Sequence, residues 1–258
     1  MQKITTPKEG PALTARRPAS FGGKPLRAVL FDVDGTLYRQ GPLRLRMAAE
    51  LALLPVKHGL TEAITTWRAL RAFRSMREEL RRTPRNGESL GNLQFANASA
   101  AAGVDRARLE AIVSQWIFER PLRHLRACRR AGVEDLLRLL AERGLAVGAF
   151  SDYPVEEKLA ALGIADSFSV KLCATEPGVG EFKPSPRGFL RACELWGLRP
   201  SEVLYVGDRP EVDAAGAAAC GMPCAIVGRT RRRSNGKTVA ECYTTFSSFR
   251  ELQDALLT

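Results

Sequence analysis

Four short stretches of this chain carry side chains suited to chemistry, and three of them begin where an apolar run gives out. Asp32-Val33-Asp34-Gly35-Thr36-Leu37 follows Arg27–Phe31 (RAVLF) and sets two carboxylates at alternate positions. Aspartate is a poor strand residue, so such a pair at the end of a buried strand calls for a reason. Ser151-Asp152-Tyr153-Pro154 follows Leu145–Phe150 (LAVGAF), placing a hydroxyl beyond a second run. Gly207-Asp208-Arg209-Pro210-Glu211-Val212-Asp213 follows Val203–Val206 (VLYV) and adds the carboxylates Asp208 and Asp213. In Gly180-Glu181-Phe182-Lys183-Pro184, a lone lysine stands in a loop that enters a helix. Carboxylates can attack an electrophile, carry a proton or bind a hard cation, and a fixed ammonium can offset their charge. Each stretch also has a plainer reading: an Asx-type turn at Asp32–Gly35, helix caps at Ser151 and Asp213, a solvated loop lysine at Lys183.

What separates the two readings is the elements that carry the residues. From 131 onward, helical periodicity alternates with short apolar runs. Val133–Arg143, Glu156–Leu162, Pro186–Trp196 and Glu211–Cys220 read as helices, each followed by glycine; strands are expected at Leu145–Phe150, near Phe168–Cys173, at Val203–Val206 and at Cys224–Val227. Strands separated by helices of this length imply a doubly wound parallel sheet with both faces covered, to which Arg27–Phe31 adds the first strand. In such a sheet the crevice beyond the C-terminal strand ends is where ligands bind. Four features in register at one edge are hard to credit to capping alone.

Residues 41–130 differ in kind. They show helical patterns and no convincing strand, and they carry a net charge of +9 against +4 for residues 1–40 and −2 for residues 131–258. The expected organisation is an α/β core over 25–40 and 131–258, an all-helical cap over 41–130, and a flexible N-terminal tail over 1–24, rich in Pro, Gly and Thr.

With this order of motifs the chain resembles the haloacid dehalogenase (HAD) superfamily of aspartate-nucleophile phosphohydrolases. DVDGTL matches the family's first motif, Ser151 the second, Lys183 in KPSP the third and GDRPEVD the fourth, and the helical insert resembles the family's small cap. One departure is Asp152, where many relatives have Asn. The resemblance implies a phosphomonoester hydrolase that uses Mg2+. Asp32 would be the nucleophile, forming an aspartyl-phosphate; Asp34 the acid and base that protonates the leaving alkoxide and then activates water. Ser151 and Lys183 would bind and neutralise phosphate oxygens. Asp32, Asp208 and the main-chain carbonyl of Asp34 would hold the metal, and Asp213 would orient metal-bound water or Lys183. Dehalogenases need no acid at the position of Asp34, and phosphonatases carry a small residue there, so a phosphate ester is the favoured substrate class. The rivals are a phosphomutase acting on a sugar phosphate, with His58 or His124 as the polar cap group it would need, and a non-catalytic binder of phosphate ligands.

Composition closes other routes. The 45% hydrophobic content excludes a chain disordered throughout, and no stretch nears the ~18 apolar residues of a membrane span. The first 25 residues hold no apolar signal core, and six cysteines form no CxxC pair, so a cytoplasmic protein with free thiols is expected. In the cap helix Thr61–Arg82, residues Ala69, Leu70, Ala72, Phe73, Met76 and Leu80 share a face opposite Arg68, Arg71, Arg74, Arg77, Arg81 and Arg82. That face reads as a solvated basic surface, or as one that steers a polyanion. A small phosphorylated substrate is the expected partner; a nucleic acid is the alternative, with only Trp67 to stack on. Arg123, Arg126, Arg129 and Arg130 form a second basic cluster, and Arg231-Arg232-Arg233 reads as a solvated turn.

Overall fold

Apolar residues in the strands leave no face for water, so the sheet must be sandwiched, and the computed structural model has that form; it describes residues 19–83, 89–228 and 243–257. A short antiparallel ribbon, β1 (Ser20–Phe21) and β2 (Lys24–Pro25), leads into the central sheet. The sheet contains β3 (Ala28–Phe31), β4 (Ala146–Ser151), β5 (Val170–Cys173), β6 (Val203–Gly207), β7 (Cys224–Val227) and β8 (Thr244–Phe246). They lie in the order β5-β4-β3-β6-β7-β8, with every pairing parallel. The chain therefore winds outward from β3 in both directions, and its topological switch point lies beside β3.

Alternation divides the core. Val29 and Phe31 point to a cluster that includes Leu136, Leu140, Leu159 and Leu252, from α7 (Val133–Glu142), α8 (Glu156–Leu162) and α11 (Phe249–Leu257). Ala28 and Leu30 point to the other face, against Phe189, Ala192 and Ala217 of α9 (Arg187–Trp196) and α10 (Ala215–Ala219). The register aligns Phe31 with Ala149 on one side and Val206 on the other. Asp32, Ser151 and Asp208 all fall within two residues of that line, at one edge of the sheet.

Between Arg39 and Arg129 the elements among the described residues are all helical: α1 (Gln40–Ala52), α2 (Leu54–His58), α3 (Leu60–Leu80), α4 (Leu90–Ala102), α5 (Arg106–Val113), a π-helical turn over Ser114–Glu119 and α6 (Leu122–Cys128). They enclose a core of their own around Leu70, Phe73, Leu109, Val113 and Trp116. The insert leaves and re-enters at a narrow neck. Tyr38 and Arg129 form an antiparallel bridge, flanked by Arg39 N–H donating to Cys128 O (2.9 Å) and Arg130 N–H to Leu37 O (3.0 Å).

The structure differs from the expectations at several points. Of the tail, residues 1–18 lie outside the described residues, but Ala19 is buried and the ribbon 20–25 is ordered, with Phe21 packed against the core. The expected helix Glu211–Cys220 is a π-helical turn over Pro210–Ala214 followed by α10. Strand β8 and α11 were not anticipated: three residues of TTF, without alternation, give no periodic signal. Arg231–Arg233 and Cys242 lie outside the described residues; Cys128, Cys173, Cys193, Cys220 and Cys224 are unpaired thiols. No described helix is long and apolar enough to cross a membrane.

Candidate active site at the strand tips

Beyond β3 the chain turns sharply through Asp32–Leu37. Gly35 has φ of 102°, and a Cβ there would stand 2.0 Å from Asp208 Oδ2, so glycine alone lets this turn pass so close to that carboxylate. Asp32 is buried; its Oδ1 accepts Lys183 Nζ at 2.5 Å and its Oδ2 accepts the Thr36 hydroxyl at 2.9 Å. Lys183 also donates to Asp213 Oδ1 (2.8 Å) and to the Tyr205 hydroxyl oxygen (3.0 Å), while that hydroxyl donates to Asp213 Oδ1 (3.1 Å). Asp213 Oδ2 accepts the main-chain N–H groups of Asp208 and Arg209, at 3.1 and 3.0 Å, and so fixes the loop after β6. Asp213 thus spends its oxygens on the loop and on Lys183.

One carboxylate oxygen from each of Asp32, Asp208 and Asp213 lies within 4.8 Å of the others. Crowding three carboxylates beside one ammonium leaves net negative charge. Burial, with Asp213, Asp208 and Asp34 adding to it, pushes Asp32 well above the carboxylate range although Lys183 pulls it down. Burial and then Asp213 push Asp208 up to about 7. Burial alone would lower Lys183, but Asp213 and Asp32 hold it well above the usual ammonium value. Among the described residues the Asp208 carboxylate takes no hydrogen bond, and it faces the space that Gly35 leaves open. Hard oxygen donors in excess of their counter-charge, one of them unengaged, fit a divalent cation of the Mg2+ kind.

Asp34 belongs to a second group. Lys158 Nζ donates to both of its oxygens (2.8 and 2.7 Å), the Tyr38 hydroxyl to Oδ1 (2.5 Å) and the Ser151 hydroxyl to Oδ2 (3.1 Å). Burial alone would raise Asp34, but Lys158 and these hydrogen bonds outweigh it and hold the carboxyl below its ordinary value. Its side chain stands outside the three-carboxylate cluster; its main-chain oxygen accepts Gln40 Nε2 (2.7 Å) and keeps a second lone pair. Ser151, expected to donate to a phosphate, here donates to Asp34.

Lys158 and Tyr38 escaped the sequence reading. A signal for Lys158 exists: Val155, Leu159 and Leu162 are buried, and position 158 falls on their side of α8 at helical spacing, a lysine on an apolar face. Arg81 belongs to the face that reads as a solvated basic surface or as one that steers a polyanion, and the structure corrects both readings for this residue. Its side chain is 6% exposed; it pairs with Asp152 and donates to Lys183 O. Asp152 therefore has a cap arginine as its partner, which accounts for a carboxylate rather than an amide there. Arg77 also turns inward, over the Tyr153 ring, whereas Arg68, Arg71, Arg74 and Arg82 are exposed. In the second basic cluster, Arg123 and His124, with Arg120, converge on Glu50; Arg129 pairs with Glu134, and Arg130 donates to Gly35 O. His58 is exposed at the end of α2.

A cavity of about 570 Å3 opens beside Asp34 and Lys158, between the strand tips and the helices of the insert. Three comparisons place this arrangement. Glyceraldehyde 3-phosphate phosphatase of Methanopyrus kandleri is 30% identical over 212 residues, covering 80% of this chain and 84% of that protein. N-acetylmuramic acid 6-phosphate phosphatase of Pseudomonas aeruginosa is 28% identical over 188 residues (71% and 74%). Among solved structures, a HAD phosphatase from Thermococcus onnurineus superposes with a TM-score of 0.60 at 25% identity, covering 90% of this chain and 98% of that one. A 2-haloacid dehalogenase from Pseudomonas syringae shares the fold with a TM-score of 0.61 at 22% identity and the same coverage. The family model of haloacid dehalogenase-like hydrolases matches residues 26–221, and the chain belongs to that family.

Proposed function

We propose that this HAD-type phosphatase is a Mg2+-dependent phosphomonoester hydrolase that works through an aspartyl-phosphate on Asp32 and acts on a small phosphorylated metabolite. In this reading 25–40 and 131–258 are the core, 41–130 the cap, and the chain works in the cytoplasm, where its unpaired thiols stay reduced. Asp32 and Asp208, with the main-chain carbonyl of Asp34, would hold Mg2+, which when bound supplies the positive charge that lets a phosphate dianion approach a carboxylate.

The remaining chemistry belongs to the chain. Asp32 is aimed by Lys183 and Thr36, and its free lone pair attacks phosphorus as the ester oxygen leaves. Once Lys158 and Ser151 turn from Asp34 to the arriving phosphate, the Asp34 carboxyl can take up a proton; it gives that proton to the leaving oxygen, then takes one from the water that cleaves the acyl-phosphate, releasing phosphate and restoring Asp32. Lys183 keeps a fixed positive charge beside both anions, and Asp213 keeps Lys183 in place. Ser151 and Lys158, now on Asp34, are the donors within reach of an arriving phosphate.

The observation that carries this reading is Asp34, an ionisable group two residues past the nucleophile that lines the cavity where a leaving group must sit. Neither His58 nor His124 lines that cavity, and His124 is engaged by Glu50, so nothing favours the phosphomutase. Phosphate release from an aryl phosphate in the presence of Mg2+ tests the reading. EDTA and Asp32→Asn are each expected to abolish it, and full activity in the Asp32→Asn protein defeats the covalent route.

A further inference from the structure

The cavity is larger and greasier than a phosphate needs. Its walls include Leu43 and Met47 of α1, Trp116 and Phe118 of the π-helical turn, and Leu122 of α6, with Asp34 and Lys158 at one end. A volume of about 570 Å3 falls within the range of roughly 300–1,000 Å3 that encloses drug-sized ligands. On α3, Arg74 and Arg77 also face the cavity, and Arg44 of α1 joins them. Arg77 has Glu78 as a partner (3.0 Å). Arg44 donates to Gln40. Arg74 has no ion pair or hydrogen bond among the described residues. Its guanidinium lies close enough to those of Arg77 and Arg44 to feel their charge. Three guanidinium groups facing one cavity, with no counter-ion for Arg74 among the described residues, make a positive wall that an anionic ligand complements.

We propose that the leaving group of the substrate is bulky and largely apolar and ends in a carboxylate held by Arg74 and Arg77. The inference rests on the phosphomonoesterase reading above: the phosphate goes to Asp32, the body against Leu43, Met47 and Trp116, and the second anion to the arginines of α3. A guanidinium fork mates with a planar carboxylate through two parallel hydrogen bonds, which gives orientation as well as attraction. A tiny dianionic ester supplies the second charge without filling the apolar walls, and an aryl phosphate without a carboxylate fills the walls but leaves Arg74 uncompensated.

Three probes separate these contributions: 4-carboxyphenyl phosphate, phenyl phosphate and phosphoglycolate, compared by kcat/KM for phosphate release with Mg2+. The carboxylated aryl ester is expected to be preferred over each of the others by about ten- to a hundred-fold, the range for a hydrogen bond to a charged group. Arg74→Leu is expected to erase the preference over phenyl phosphate, and Arg74→Lys to retain part of it. Arg68→Leu, on the same helix but outside the cavity lining, is expected to leave all three values unchanged. Equal use of the two aryl esters, a preference for phosphoglycolate, or an Arg74→Leu effect equal on both aryl esters overturns the inference while the phosphatase reading stands. Release of phosphate from none of the three overturns both.

Discussion

Lys183 closes a knot of hydrogen bonds with Asp32, Asp213 and Tyr205, all between 2.5 and 3.0 Å. Across the cavity, on α3, Arg74 faces other arginines with no carboxylate of its own among the described residues. The strand-tip side is braced from within: Asp32 is buried, Lys183 is fixed, and the loop after β6 is tied by Asp213. The cap side consists of apolar walls and cations that want a partner from outside. A braced group can act on any phosphate delivered to it, whereas an unbalanced wall is selective about what comes with the phosphate. Reactivity and selectivity are thus assigned to different stretches of chain.

Four measurements press on that division. Removing the proposed proton carrier is the most severe: Asp34→Asn is expected to lower kcat by ~10²–10⁴-fold, the usual worth of acid–base assistance, with the fold intact. An unchanged kcat would mean that the leaving group is protonated from elsewhere. The contact that joins the two sides comes next. Arg81→Met leaves Asp152 buried without its cation and should cost about 3–5 kcal/mol of stability, read by denaturant unfolding, with much of it recovered in Arg81→Met/Asp152→Asn.

Lys158→Met addresses the one cation that holds Asp34. Losing it raises the Asp34 pKa, so the pH profile of kcat/KM should move to higher pH by about one unit or more, within the shift an adjacent opposite charge produces. The smallest effect is on melting temperature. The folded-state pKa of Asp208 lies at about 7, above its ordinary 3.8, so the metal-free fold binds the extra proton and loses stability as pH rises through that window. The proposed Mg2+ would bind the ionised form, and its stabilising effect should therefore be larger at pH 8 than at pH 5.5. Equal effects at both values would remove Asp208 from the ligands.

The sheet was legible because parallel strands buried on both faces read as short apolar runs, and because carboxylates at their ends conflict with strand propensity. Asp32, Asp34, Asp208 and Asp213 could be picked out for that reason, and Ser151 and Lys183 through the family motifs they match. Residues that act through tertiary position alone were not legible. Lys158 is an ordinary helix lysine until Val155, Leu159 and Leu162 are known to face inward. Arg81 shares its sequence pattern with Arg82, yet the side chain of one is buried against Asp152 and the other is exposed, because both lie just past the end of α3 at Leu80 and the core lies on one side only. Tyr205 reads as a strand residue; only the fold shows its hydroxyl under Lys183. Composition marked the insert as different but could not tell which arginines turn toward the cavity.

The neck at Tyr38 and Arg129 has a consequence for how such an enzyme diversifies. Because the helical insert enters and leaves through a single pair of bridged residues, its interior can be rebuilt, lengthened or exchanged without displacing a strand, so new substrates can be acquired with the hydrolytic half untouched. The exchange is not wholly free. Tyr38 belongs to the neck and also donates to Asp34, so any swing of the insert about this point pulls on that carboxylate.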